Sequence, residues 1–263
     1  MADPGSTESR SDSERNSVTT DVTTAETTDR DARRGRVAAT VSLIGEILIT
    51  LGLVLALFVA YSLWWTNVIA DRHERKASAK VRQEWAQSST GSGKQAPPRG
   101  LNTEDGIGFL HVPAMGKHYE VLVKKGTSVP VLNEGVAGYY TGRNPAAMPW
   151  DSTGNFTLAA HRDGHGAKFH NIDKIHTGDA VVFESKSTWY IYKVYKVLDQ
   201  TSKYNVAVTD QIPKESGKTK PGRYITLTTC TPVYTSLYRY VVWGQLVRTQ
   251  KVDPQRTPPA ELK

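Results

Sequence analysis

The spacing of apolar side chains changes character several times along this chain of 263 residues, and each change marks a boundary. Residues 1–36 are rich in Ser, Thr, Asp, Glu and Arg, with almost no large apolar side chains. Such a stretch cannot bury enough surface to offset the entropy of ordering, which predicts a disordered tail. Residues 37–69 are almost wholly apolar, interrupted mainly by Glu46. As a helix, Ile47 to Trp65 alone would extend roughly 28 Å, about one hydrocarbon core, so this segment is predicted to span a membrane. Tyr61, Trp64 and Trp65 fall at its C-terminal end, where amphipathic rings favour the headgroup layer. Residues 70–103 form a charged juxtamembrane segment, able to continue as a short helix over 71–87, and then a tether. Its Ser-Ser-Thr-Gly-Ser-Gly run is flexible and its Pro-Pro pair stiff.

From 104 to 250 the pattern shortens to β-rich runs: Ile107–Val112, Tyr119–Val123, Phe156–Ala160, Ala180–Glu184, Thr188–Leu198, Tyr224–Cys230 and Tyr240–Arg248. Gly, Pro, Asn and Asp separate most of them, and no long amphipathic helical pattern interrupts. An all-β domain, closed or nearly closed into a barrel of about seven or eight strands, accounts for this spacing. The Pro-rich segment 251–263 is predicted to be a flexible tail.

Charge refines this picture in two ways. Residues 1–31 carry a net of −5 within a chain total of +7, so the remainder carries +12. A basic folded part suits an anionic membrane or cell-wall surface, and no nucleic-acid-binding motif accompanies it. Orientation is not fixed by charge, because Arg30, Arg33, Arg34 and Arg36 before the apolar segment are matched by Arg72, Arg75, Lys76, Lys80 and Arg82 after it. Small residues at Ala60 and Ser62 would also suit a signal peptidase, but the long preceding tail and the continuing apolar run favour an anchor.

Three residues are candidates for chemistry. Cys230 is the single cysteine and cannot form an internal disulfide. It ends a β-branched strand just before Thr231-Pro232, which suits a nucleophile on a rigid edge and equally a small buried apolar residue. His161 follows the strand Phe156–Ala160 and opens the loop Arg162-Asp163-Gly164-His165-Gly166, where it is either an acid/base group or a structural histidine, while the nearby charges of Arg162 and His165 are assigned solvated roles. His161, Asp163 and His165 lack the helical spacing of a zinc site, and no metal or other cofactor is expected. Arg239 lies in a strand, where alternation can turn it toward the face used by Cys230, or it serves as a solvated edge residue.

Around these residues, Thr226-Leu227-Thr228-Thr229-Cys230 resembles the signature Thr-Leu-x-Thr-Cys of the sortase family. Leu158-Ala159-Ala160-His161-Arg162 resembles the family's strand-end histidine, and Tyr238 to Gly244 its arginine strand. The resemblance covers about Val37 to Arg248. It implies an extracytoplasmic cysteine transpeptidase of a Gram-positive bacterium, with Cys230 the nucleophile, His161 the acid/base and Arg239 the electrostatic stabiliser. Its partners would be sorting-signal peptides of surface proteins and a lipid-linked cell-wall precursor amine, with the N-terminus cytoplasmic and the barrel outside. Glu134-Gly135-Val136, Tyr139-Tyr140 and Gly154-Asn155-Phe156 look most like class E housekeeping sortases. That subclass is associated with Leu-Ala-x-Thr-Gly signals, and the resemblance suggests Tyr139 and Thr229 as substrate contacts. Residues 71–106 lack the Asp-Pro-aromatic lid of pilus-polymerising sortases. A cysteine endopeptidase and a non-catalytic binding barrel are the competing readings; amine-dependent product formation and thiol labelling separate them.

Overall fold

The computed structural model of the protein describes residues 13–89 and 105–263. Most of the expected tether and the first twelve residues of the tail lie outside the described residues. Helix α1 (Ser13–Ser89) begins inside the segment predicted to lack structure and continues through the apolar and charged segments. No proline occurs between Pro4 and Pro97, so no ring breaks the hydrogen-bond ladder, and turns propagate outward from a strongly helical body. Within α1, residues 37–61 expose apolar side chains such as Leu48, Leu57 and Phe58, and the helix is long and apolar enough to cross a membrane.

Residues Ser62–Lys263 form one compact unit. Its strands are β1 (Gly108–His111), β2 (Glu120–Lys125), β3 (Ala137–Tyr139), β4 (Gly154–Ala159), β5 (Ala180–Glu184), β6 (Thr188–Ser202), β7 (Arg223–Thr231) and β8 (Tyr238–Lys251). They close into a barrel in the order β1-β2-β3-β4-β7-β8-β6-β5, as predicted. β3 is the strand that the pattern of runs does not contain. It has only three residues, one of them Gly138, where an added Cβ would come within 2.0 Å of the Gly126 carbonyl oxygen. The close approach of β2's end demands glycine there, at the expense of the side chains that announce a strand.

Alternation sorts the strands into an inner and an outer face. Leu110, Val121, Val123, Phe156, Leu158, Ile225, Leu227, Tyr240 and Val242 fill the barrel interior. Phe109 and Leu122 point the other way yet are fully buried, because Val81 and Trp85 of α1 cover them. Trp85 meets Phe109 edge-on at 5.4 Å. The charged segment after the apolar part of α1 is therefore docked on the barrel wall. A second tie runs through Glu184, whose side chain is 1% exposed. Arg82 Nη1 of α1 donates to it at 2.6 Å, Arg256 donates from the C-terminal segment, and His111 Nε2 lies 3.0 Å away.

The predicted flexible tail 251–263 is also packed. Val252 and Leu262 lie against Val182, Trp189 and Ile191, and Glu261 pairs with Arg248. Two apolar side chains and the Arg256–Glu184 pair outweigh the proline-rich composition that suggested fraying.

Candidate active site

Parallel pairing of β4 with β7 sets Leu158 opposite Leu227 and Ala159 opposite Thr228, and antiparallel pairing of β7 with β8 sets Cys230 opposite Arg239. His161 follows Ala159 by two residues and so comes level with Cys230. Ala160 N–H extends the ladder to the Thr228 carbonyl at 3.4 Å. Since Phe156, Leu158, Ile225, Leu227, Tyr240 and Val242 point inward, His161, Cys230 and Arg239 belong to the opposite, outer face. Adjacent strands are about 4.8 Å apart, so His161 and Arg239 occupy the positions on either side of Cys230. Cys230 is partly exposed, at the edge of a strand that is otherwise buried.

The histidine is fixed from a distant part of the chain. Its Nε2 lies 2.8 Å from Asn133 Oδ1, at the end of helix α2 (Val129–Leu132). An amide oxygen only accepts, so Nε2 carries the proton and Nδ1 is the basic nitrogen of the neutral ring. Burial, with the His165 ring 5.5 Å away, pushes the His161 pKa below its ordinary value, while Asp163 partly offsets this. At neutral pH the ring is thus mainly neutral and able to take a proton. Nothing in the sequence marks Asn133, which is 28 residues upstream; only the closed barrel brings it to the histidine.

Arg239 Nη1 donates to the Tyr238 carbonyl at 2.9 Å and more weakly to the Ser236 carbonyl at 3.3 Å. These contacts brace the guanidinium at the start of β8 and leave Nε and Nη2 as donors for an anion.

The remaining candidates take different places. Thr229 is 3% exposed on the inner face, and its hydroxyl donates to the Ala160 carbonyl at 2.7 Å. Its side chain therefore clamps the catalytic strand to the segment bearing His161, and only its backbone is left for a substrate. Tyr139 is 6% exposed within the barrel core, so a peptide could meet its hydroxyl only at the core's edge. The neighbouring Tyr140 places its hydroxyl 3.0 Å from Thr228 Oγ1 on the outer face. Arg162, whose charge suggested a solvated role, is 7% exposed. It donates to Thr231 Oγ1 at 2.8 Å and to Asp173 at 3.1 Å, and stacks over the Tyr240 ring. Arg162→Ala is accordingly expected to lower the melting temperature, a structural loss that the sequence does not foreshadow.

Among the described residues, the group close enough to share a cation is His111, Glu120 and Glu184. Two guanidinium groups already occupy Glu184, so a further cation would enter against like charge. This arrangement is an ion-pair anchor at the opposite end of the barrel from Cys230.

Comparison with known proteins bears on the family and the fold. The model of the sortase domain matches residues 110–247. Sortase SrtE2 of Streptomyces coelicolor is 65% identical over 233 residues, covering 88% of this chain and 92% of that protein. Sortase SrtE1 of the same organism is 44% identical over 208 residues, which is 78% of this chain and 56% of that longer protein. The crystal structure of Sortase E1 from Streptomyces coelicolor, with a tripeptide in its active site, superposes with a TM-score of 0.56 at 41% identity, over 60% of this chain and 96% of that one. Sortase E from Streptomyces avermitilis gives a TM-score of 0.54 at 33% identity, over 60% of this chain and 97% of that one.

Proposed function

Because this chain belongs to the sortase family of cysteine transpeptidases, we propose that Cys230, His161 and Arg239 are its catalytic groups and that it joins sorting-signal peptides to a cell-wall precursor amine. The observation that carries the assignment is the level alignment of these three residues on one face of three adjacent strand segments. The Cys230 sulfur attacks the carbonyl carbon of the substrate threonine while His161 Nδ1 takes the thiol proton. Arg239 stabilises the tetrahedral oxyanion. Collapse breaks the Thr–Gly bond, the imidazolium returns its proton to the departing amine, and a thioester remains. A second amine then attacks the thioester with His161 as base, and the thiol is restored. The apolar part of α1 is a candidate membrane anchor. The reading places the N-terminus in the cytoplasm and the barrel outside, where both substrates are found.

The deciding experiment incubates the chain with a Leu-Ala-x-Thr-Gly peptide and an amine and weighs the products. Transfer yields the peptide up to Thr joined to the amine, with a Cys230 acyl-enzyme trapped when amine is omitted. Release to water at the same rate with and without amine would point to the endopeptidase reading.

Further outcomes follow from the geometry. His161→Ala should slow thioester formation by about 10²–10⁴-fold. Arg239→Ala should cost about 10²–10³-fold. Single-turnover kinetics with the same peptide checks both, and His165→Ala should have a much smaller effect. Asn133 acts through His161 as a positioning residue, so Asn133→Ala should lower kcat more than it raises KM. Asn133→Asp should move the acidic limb of the pH–rate profile to higher pH, because a carboxylate favours the imidazolium. Finally, Leu-Ala-x-Thr-Gly should exceed Leu-Pro-x-Thr-Gly in kcat/KM by roughly two- to twelve-fold, the value of one hydrogen bond that proline cannot donate. Tyr139→Phe measured alongside tests that residue: an unchanged Ala/Pro ratio would assign it to packing alone.

A further inference from the structure

Within the unit that starts at Ser62, α1 contacts the two ends of the barrel with different turns. Its early turns meet the end that carries Cys230. Asn67 Oδ1 accepts from Gly166 N–H at 2.8 Å, and Asp71 pairs with Lys168 at 2.9 Å, both in the loop that follows His161. Gly135, two residues after the Asn133 that holds His161, is packed so closely on Ala70 that an added Cβ would come within 3.1 Å of its backbone. Later turns meet the opposite end, where Arg82 binds Glu184 beside the β5–β6 turn and Arg256 stacks over Trp85 at 4.5 Å. About 27 Å of helix separates Asn67 from Trp85, close to the roughly 30 Å length of β7. The helix therefore follows the barrel from mouth to base, with the mouth beside the turns nearest Ser62. Trp64 and Trp65, the rings suited to the headgroup layer, precede Asn67 by less than one turn.

The mouth has a rim unlike the rest of the barrel surface. Tyr234 and Leu237, between β7 and β8, and Tyr238, the first residue of β8, are 76%, 60% and 40% exposed, and Tyr204 is 79% exposed. Tyr204 follows Ser202, which pairs with Tyr238. The rim is tied to the loop that α1 holds, since Asp163 accepts from the Tyr234 N–H at 2.8 Å. Tyr234 takes a φ of +65°, a conformation unfavourable for a bulky residue, while its ring stays in solvent. Lys203, over the Tyr204 ring, adds a cation at the same edge.

We propose that this rim is a bilayer-contact surface: Tyr234, Leu237, Tyr238 and Tyr204 rest in the headgroup layer of the membrane that α1 spans, with Lys203 against lipid phosphates. Tyrosine rings with one apolar and one polar end, together with a single leucine, suit that layer better than they suit water. The catalytic mouth then opens at the membrane surface, so an amine carried on a lipid reaches the thioester by lateral diffusion. This inference rests on the membrane-anchor reading of α1, and the test separates the two.

In the full chain carrying Cys230→Ala, a single nitroxide is placed by Leu237→Cys, Lys186→Cys or Leu53→Cys, and the protein is reconstituted in nanodiscs containing anionic phospholipid. Relaxation by oxygen, which partitions into lipid, is compared with relaxation by an aqueous nickel chelate. The expected oxygen-to-nickel ratio is highest at Leu53, several-fold lower at Leu237, and lowest at Lys186 at the far end of the barrel. Equal values at Leu237 and Lys186, with Leu53 in lipid, would overturn the rim proposal alone. A water-exposed label at Leu53 would overturn the anchor reading and the rim proposal together. Spin–spin broadening at Leu237 without oxygen accessibility would identify a second copy as the occupant and also overturn it.

Discussion

Cys230→Ala abolishes the joining of peptide to amine and leaves the barrel folded. In the proposed mechanism the sulfur supplies the covalent intermediate, and a methyl group cannot, so the expected residual rate is that of the uncatalysed reaction. The fold should not register the change. Cys230 is only partly buried and ends its strand's buried run, while β7 is held by the backbone ladders to β4 and β8 and by the buried Thr229–Ala160 hydrogen bond. Mass spectrometry should find no acyl-enzyme, and near-ultraviolet circular dichroism should match the parent. Transfer at the parental rate by the alanine chain would remove Cys230 from the mechanism.

The largest expected effect on stability is at Glu184, far from the chemistry. The His111 hydrogen bond and the Arg82 and Arg256 guanidinium groups overcome its burial and hold its pKa at about 2, against 4.5 ordinarily. A depression of that size corresponds to about 3 kcal/mol of stability carried by the ionised form. The sign follows from proton binding: the unfolded chain takes up a proton near pH 4.5 and the folded one does not. The contribution is thus complete above that pH and is lost as pH falls toward 2. Glu184→Gln should lower the unfolding free energy at pH 7 by an amount of that order, because Arg256 keeps its charge without a counterion and Arg82 is left with Glu120 alone. The variant should also lose the parent's decline between pH 4.5 and 2 that is due to this group. Urea unfolding of the detergent-solubilised chain at pH 7 and pH 3 measures both; a variant as stable as the parent at pH 7 would show that the cluster contributes nothing net.

The barrel was legible because seven of its strands have enough alternating or β-branched residues to show a period. Ala137-Gly138-Tyr139 escaped that rule since backbone crowding, rather than side-chain burial, selects its glycine. The proposed catalytic trio was legible only through short motifs, for Cys230, His161 and Arg239 each had an ordinary structural alternative. Their convergence depends on a parallel β4–β7 pairing between segments about 70 residues apart, which no local pattern encodes. The same distance problem hid Asn133 and made Arg162 look solvated. It also concealed the docking of α1, whose charged sequence suggested a free helix although Ala70, Val81 and Trp85 are buried. At the C-terminus, proline content outweighed the sparse apolar residues in the reading of sequence, and the opposite holds in the fold.

The docking of α1 also bears on shedding. A protease that cuts the chain between residues 90 and 104 severs its covalent path from helix to barrel, yet Trp85 on Phe109 and Arg82 on Glu184 remain engaged on the helix side of the cut. In nicked molecules the barrel should therefore stay bound to the helix segment that carries Arg82 and Trp85. Lengthening that segment should matter little, as loop-closure entropy rises only about 0.6 kcal/mol per doubling. Selection is then free to vary the connecting peptide while holding the helix face constant, so the attachment of barrel to helix is a property of a non-covalent joint.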